Sequence, residues 1–384
     1  MIDSVETLLA FYLKKNKISF LKGTPLKLLM AGQNVPIIDI SGWGSSDEAK
    51  KDAVAAAFDD IFARHGYGIV IGTDFDVSAL QCELVQEAAA FFALPLEEKM
   101  AFCHGPYGHQ SGGYTPIHTE KVSKSIEKNQ TDGVESFVFW GPPLSFKMPS
   151  GESGCIPFQV AASKLWDSNT ALLTKLHNIA ARALGMSNDE EFFNRLYFED
   201  DGSGGGNGLT LKISWYPRCN SISDDGEERE ELKVRGGPEA TPLRYGEHTD
   251  YQGFTLLKPD GSDWESDDHG GLECLDQCSG HWVPVFVPRE HARDGLVVNA
   301  GDLMSVWSNG RWHSPVHRVR APSHRQEVSS RHQDRCSIIF FTGPQSTTLV
   351  EPITRSSDES LKFAPVEAGQ HLARKILASR SIVA

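Results

Sequence analysis

No apolar run in this 384-residue chain approaches the roughly 20 residues needed to span a bilayer, so nothing in it reads as a membrane anchor. Basic residues are in the minority. The 37 Lys and Arg against 51 Asp and Glu give a formal net charge of −14, which argues against a general nucleic-acid binder. A small anionic substrate is still allowed, because one arginine can set the local sign. Cysteines are few and odd in number: the seven lie scattered at Cys82, Cys103, Cys155, Cys219, Cys274, Cys278 and Cys336. That is a poor basis for a disulfide framework and suits a reducing compartment. Cys274 and Cys278 form a C-x3-C pair with no second pair nearby, so ordinary thiols are a better reading than a zinc site. The first segment, Met1 to Gly23, mixes acids and lysines among its apolar residues, unlike a secretory signal. The expected location is cytoplasmic, with organelle targeting left open. No segment repeats.

The composition is that of a folded globular protein, with 40% hydrophobic and 23% charged residues. Residues 1–34 read as an N-terminal extension. VPIIDIS (Val35 to Ser41) and YGIVIGT (Tyr67 to Thr73) read as short strands, and residues 47–65 and 77–92 carry apolar residues at helical spacing. His104 to Pro149 has no regular pattern apart from a strand-like ESFVFW at Glu135 to Trp140. A long helical pattern runs from Phe158 to Leu184 and ends at Gly185, a plausible C-cap, followed by a short one at Glu190 to Phe198. DGSGGGNG at 201–208 reads as a flexible linker. From Leu209 to Thr342 the pattern changes to short strand-like runs broken by turns, including GLVVNAGDLMSVW, which suggests a sandwich or barrel. Two charged insertions, 220–241 and 321–334, read as solvated loops, and Glu367 to Ser379 as a closing helix. The expected division is an extension at 1–34, an α/β region at 35–200, a β core at 209–345 and a helical tail at 346–384.

The sharpest local feature is Gly246-Glu247-His248-Thr249-Asp250. On a strand, residues two apart share a face, so His248 and Asp250 can present an imidazole and a carboxylate side by side. With a further imidazole they would complete the 2-His-1-carboxylate triad that leaves open positions on iron. An isolated H-x-D occurs often by chance, and its weight here comes from the sequence downstream. NAGDLMSVWSNGRWHSPVHRV supplies His313 and His317, and DRCSIIFF supplies Arg335 and Ser337, which share a strand face where a guanidinium fork and a hydroxyl can grip a carboxylate. Tyr216, in ISWYP, offers a phenol to the same acid.

These motifs are similar to those of the isopenicillin N synthase-like family of iron(II)/2-oxoglutarate dioxygenases. Its HTDxGxLTLL resembles His248 to Leu257, its VVNxGD, SNG and HRV resemble Val297 to Asp302, Ser308 to Gly310 and His317 to Val319, and its RxSxxFF resembles Arg335 to Phe341. VPIIDIS, HGYGIVIG and FFALPLEEKM (Phe91 to Met100) resemble its N-terminal region. The resemblance implies a mainly β fold, a double-stranded β-helix or jelly roll with helices packed outside. It implies Fe(II) on His248, Asp250 and His317, with the match to HRV favouring His317 over His313. It implies 2-oxoglutarate on Arg335, Ser337 and Tyr216. Where many members have Asn two residues before the tyrosine, this chain has Ser214.

The implied reaction consumes O2 and 2-oxoglutarate, releases succinate and CO2, and oxidises an unactivated C–H bond by hydroxylation, desaturation or ring closure. An iron oxidase that needs no 2-oxoglutarate and a non-catalytic jelly-roll binding protein are the alternatives. Substrate contacts are expected at Tyr114, Glu135, Phe137, Phe341 and His313, each of which also has a packing or surface reading. The expected partner is a free metabolite, amino-acid-derived or heterocyclic, and not a nucleic acid or a membrane.

Overall fold

The computed structural model describes residues 35–103, 112–120, 132–146, 156–200, 202, 206–217, 243–259, 271–277, 279–321, 334–356 and 358–380. The N-terminal extension, the 220–241 insertion and nearly all of 321–334 lie outside the described residues, as does half of the glycine-rich 201–208 stretch.

Among the described residues, twelve short strands build the two larger sheets. They are β1 (Ile37–Asp39), β2 (Tyr67–Ile71), β3 (Gly113–Thr115), β4 (Glu135–Trp140), β5 (Thr210–Tyr216), β6 (Leu243–His248), β7 (Phe254–Pro259), β8 (Gly271–Asp276), β9 (His281–Pro284), β10 (Leu296–Ala300), β11 (His317–Arg320) and β12 (Arg335–Phe341). The major sheet runs β1-β2-β10-β7-β12-β5-β4-β3 and the minor sheet β6-β11-β8-β9. Leu257, Val297, Tyr67 and Ile69 of the major sheet pack with Leu272, Cys274 and Val283 of the minor sheet. The two sheets therefore face each other as a jelly roll. Strands from 35–200 and from 209–345 share the major sheet: β2 pairs with β10, and β4 with β5.

Helices cover the other face of the major sheet. They are α1 (Glu48–Arg64), α2 (Val77–Phe92), α3 (Leu96–Met100), α4 (Ile156–Ala183) and α5 (Phe192–Phe198), followed later by α6 (Asp302–Trp307); α7 (Ala368–Arg380) is the last described element. Asp47 and Asp76 cap α1 and α2 by accepting from the main-chain N–H of Ala49 and Ala79, which satisfies donors the first turn leaves open. Gly185 follows α4 with φ +88°, the left-handed stop its position suggests. One sequence expectation changes here. The apolar run Gly295 to Trp307 is not a single strand but β10 followed by α6, because a short buried run carries no periodicity to separate the two.

Strand alternation then sorts the major sheet into two faces. Cys336, Trp215 and Glu135 lie in register, as do Ile338, Ile213, Phe137 and Tyr114, and Phe340, Leu211 and Phe139. Apart from Glu135, these side chains all belong to the core packed against the helices, where each buried Leu, Ile or Phe contributes about 1.5–3 kcal/mol. The intervening rows point between the sheets. They are Arg335 with Tyr216; Ser337, Ser214, Ser136 and Thr115; Ile339, Lys212 and Val138; and Phe341, Thr210 and Trp140.

Candidate active site

Pairing of β11 with β6 makes His317 and His248 direct partners, with ring centroids 4.2 Å apart. Asp250 does not join them by strand alternation, as the sequence suggests, because β6 ends at His248. Instead the chain turns, and the Asp250 carboxylate comes back beneath the two rings. Its Oδ1 is 3.9 Å from His248 Nε2 and 3.6 Å from His317 Nε2. One potential donor atom from each of the three residues lies within 4.8 Å of the other two.

The surroundings orient each group. His248 Nδ1 is 2.8 Å from the Gly246 carbonyl oxygen and His317 Nδ1 is 3.1 Å from that of Pro315. A carbonyl can only accept, so each Nδ1 carries the proton and each Nε2 lone pair points to the centre. Asn299 Nδ2 donates to Asp250 Oδ2 at 2.7 Å. Burial, reinforced by the neighbouring His317, depresses the His248 imidazole to about 3, which keeps it neutral. Burial opposes the Asp250 charge, but the two imidazoles and hydrogen bonds from Thr255 and Asn299 hold its carboxyl below the ordinary range. Two imidazoles with Nδ1 tied to main-chain carbonyls and a carboxylate, pre-oriented by hydrogen bonds, fit a divalent iron.

Arg335 and Tyr216 are direct partners across β12 and β5, and the guanidinium carbon lies 5.0 Å from the phenol ring centroid. Burial raises the Tyr216 phenol to about 12, so it remains a hydrogen-bond donor. Ser337 is buried on the same inner face. Beside them is a cluster the motifs do not announce. Glu120 accepts from Ser136 Oγ at 2.7 Å, Lys212 Nζ at 2.5 Å and Tyr245 Oη at 2.8 Å. Burial works against the Glu120 charge, yet Lys212 and these hydrogen bonds bring its carboxyl down to about 2. The Tyr245 ring stands against the His248 ring, with centroids 5.1 Å apart. Lys212 was findable from parity, since it lies two and four residues before Ser214 and Tyr216. Asn299 sits in the NAGD motif, but only the fold gives it a partner.

Three of the expected substrate contacts lie elsewhere. Tyr114, Glu135 and Phe137 are on the helix-packed face of the major sheet, opposite the histidines. Tyr114 Oη donates to Glu135 Oε2 at 2.6 Å and Lys99 Nζ donates to the same oxygen at 2.8 Å, a buried ion pair closed on itself. The Phe137 ring packs 5.0 Å from that of Phe91, 4.8 Å from Phe139 and 5.3 Å from Phe158. Phe341 is on the inner face, in register with Thr255, whose hydroxyl binds Asp250. His313 is half-buried in the connection before β11 and not on that strand, so the strand argument for a shared face with His317 does not apply.

A jelly roll with two histidines and an aspartate between its sheets, and an arginine–tyrosine pair beside them, defines a mononuclear non-haem metal oxygenase. The chain belongs to the 2-oxoglutarate–Fe(II) oxygenase superfamily, whose family description matches residues 215–344. Residues 35–153 match the N-terminal region described as "non-haem dioxygenase in morphine synthesis". Validamycin A dioxygenase of Streptomyces hygroscopicus subsp. limoneus is 24% identical, covering 89% of this chain and 86% of the relative. Gibberellin 20 oxidase 5 of Arabidopsis thaliana is 28% identical, covering 83% and 70%. Among solved structures, full-length Neurospora crassa T7H in complex with alpha-KG and thymine superimposes with a TM-score of 0.69 at 24% identity, covering 91% of this chain and 98% of that one. The chain is thus a 2-oxoglutarate/Fe(II)-dependent dioxygenase. Among the described residues, no helix is long and apolar enough to cross a membrane.

Proposed function

We propose that His248, Asp250 and His317 hold the iron, that Arg335, Ser337 and Tyr216 hold 2-oxoglutarate, and that the enzyme oxidises a C–H bond of a small, polar metabolite. The observation that carries this reading is the convergence of the three donors between the sheets, with Asp250 Oδ1 3.9 Å from His248 Nε2 and 3.6 Å from His317 Nε2. When bound, the metal supplies oxygen activation coupled to the decarboxylation of 2-oxoglutarate to succinate. The protein's part is placement. Arg335 offers a fixed fork of donors to the distal carboxylate, Ser337 and Tyr216 add hydroxyl donors, and the strand pairing keeps all three in register.

For the substrate, the inner-face rows replace Tyr114, Glu135 and Phe137 as the lining. Phe341 stands one strand from Thr255, at the level of Asp250, and supplies an apolar wall. Glu120 and Lys212 supply a fixed negative and positive charge beside His248, which suits a substrate with its own polar groups. Relatives named for validamycin A and a structural neighbour bound to thymine fit a free small molecule. The free thiols of Cys82 and Cys274 fit a reducing, cytoplasmic setting.

The test is a metabolite screen with anaerobically iron-loaded enzyme, reading succinate release and product mass. Substrate-stimulated succinate with a product one oxygen heavier, or two hydrogens lighter, is expected. Turnover at full rate without 2-oxoglutarate would sink the co-substrate assignment, and stimulation only by a macromolecule would sink the substrate class.

A further inference from the structure

Two of the three groups at the centre are fixed by strand pairing and the third is not. His248 and His317 are locked across β6 and β11, whereas Asp250 lies in the stretch 249–253, between the end of β6 and the start of β7. Asn299 and Thr255 hold its carboxylate. Its main chain is held from the other side, and part of that hold comes from the far end of the chain.

On α7, His371 and Lys375 are four residues apart and so share a face. Both reach the same oxygen of Asp302, at 3.4 and 2.6 Å. The main-chain N–H of Asp302 in turn donates to the Asp250 carbonyl oxygen at 2.9 Å. Lys375 Nζ also donates to Thr249 Oγ1 at 3.4 Å and lies 5.2 Å from the centroid of the Tyr251 ring. One ammonium thus touches the residue before Asp250, the residue after it and the residue that binds its carbonyl. The Asp302 side chain is 19% exposed and that of Lys375 is 32% exposed, so this pair is more shielded than the surface ion pairs that contribute little. Among the described side chains of α7 only Ala368 is buried.

We propose that Lys375 is a positioning residue for the metal centre: with Asp302 and His371 it clamps the Thr249–Tyr251 turn and so sets Asp250 against the two imidazoles. This rests on the reading of His248, Asp250 and His317 as the metal-binding set. The C-terminal helix then acts on the site through the second coordination layer, whose loss typically weakens metal binding about 10- to 100-fold.

Anaerobic titration of the full-length apo-protein with Co(II), followed by visible absorption, reads metal affinity without turnover. Wild-type protein should show one saturable site that His317→Ala abolishes; a site that survives that change would overturn the metal-binding set itself. Given that control, Lys375→Met should weaken Co(II) binding about tenfold. Lys375→Arg should restore most of the affinity. Asp302→Asn, which keeps the main-chain N–H, should weaken binding similarly, and the double variant should add little. At saturating iron, the KM for 2-oxoglutarate should stay near the wild-type value. Co(II) affinity within about twofold of wild type in both Lys375→Met and Asp302→Asn would overturn the proposal, and so would equal weakening by Lys375→Arg and Lys375→Met. Should Lys375→Met fail to fold, Thr249→Val removes only the hydroxyl contact. It should weaken Co(II) binding in the same direction, and an unchanged affinity would count against the clamp.

Discussion

The two faces of the major sheet are written by the same strands and serve opposite ends. On β4, β5 and β12, one set of alternate residues gives Phe137, Phe139, Leu211, Ile213, Ile338 and Phe340, a dry aromatic and aliphatic layer under the helices. The other set gives Ser136, Lys212, Ser214, Tyr216, Arg335 and Ser337, a polar surface facing the histidines. The helix face tolerates chemistry only when it is sealed, as in the Lys99–Glu135–Tyr114 cluster. On the inner face, charge is placed beside the histidines. A difference of one residue in position decides between stability and chemistry.

The largest effect expected of that contrast is at the centre. His317→Ala should abolish both iron binding and turnover, whereas His313→Ala, outside the strand, should retain iron; metal analysis after anaerobic reconstitution reads both. Next is the co-substrate end of the inner face. Arg335→Lys keeps the charge and loses the fork, so the KM for 2-oxoglutarate should rise about tenfold or more. An unchanged KM would break the inner-face assignment. The third test pits the faces against each other. Phe137→Ala should cost about 3–5 kcal/mol of stability, measured by denaturant unfolding, while the substrate KM of the folded fraction stays the same. Phe341→Leu should do the reverse, changing substrate KM or the ratio of succinate to product with little change in unfolding midpoint.

The smallest effect is electrostatic. The Glu120 carboxyl is held at about 2 against an ordinary 4.5. Its contribution to stability is therefore complete above about 4.5 and is lost as pH falls toward 2. Glu120→Gln should remove that part of the acid dependence, so the difference in unfolding free energy between wild type and variant should shrink as the pH is lowered from 5 to 3. A constant difference would show that the Lys212 pair is not what holds the proton off.

The legible parts of this molecule were those whose chemistry is local. His248, Asp250, His317, Arg335 and Ser337 sit in short motifs, and the major helices announce themselves by spacing and, for α4, by Gly185 at its end. Tyr114, Glu135 and Phe137 were misassigned because both faces of β4 are covered. Five of its six residues are buried, so the run shows no alternation from which to read a direction. Asp250 reaches the two imidazoles by a turn and not, as the H-x-D spacing suggests, along a strand. Glu120 and Lys375 lie 92 and 126 residues from Lys212 and Thr249, and no local pattern carries a pairing of that separation.

The stretch from Asn299 to Asp302 grips Asp250 at both ends. Asn299 takes the carboxylate and the Asp302 N–H takes the carbonyl, while a side chain at Gly301 would collide with the Gln252 and Gly253 carbonyl oxygens at 2.6 and 2.7 Å. This tetrapeptide is in effect a mould for the turn that carries the carboxylate. Length is therefore under strict constraint here. Inserting or deleting one residue between Asn299 and Asp302 would release both grips at once, whereas an exchange at Phe341 leaves both in place.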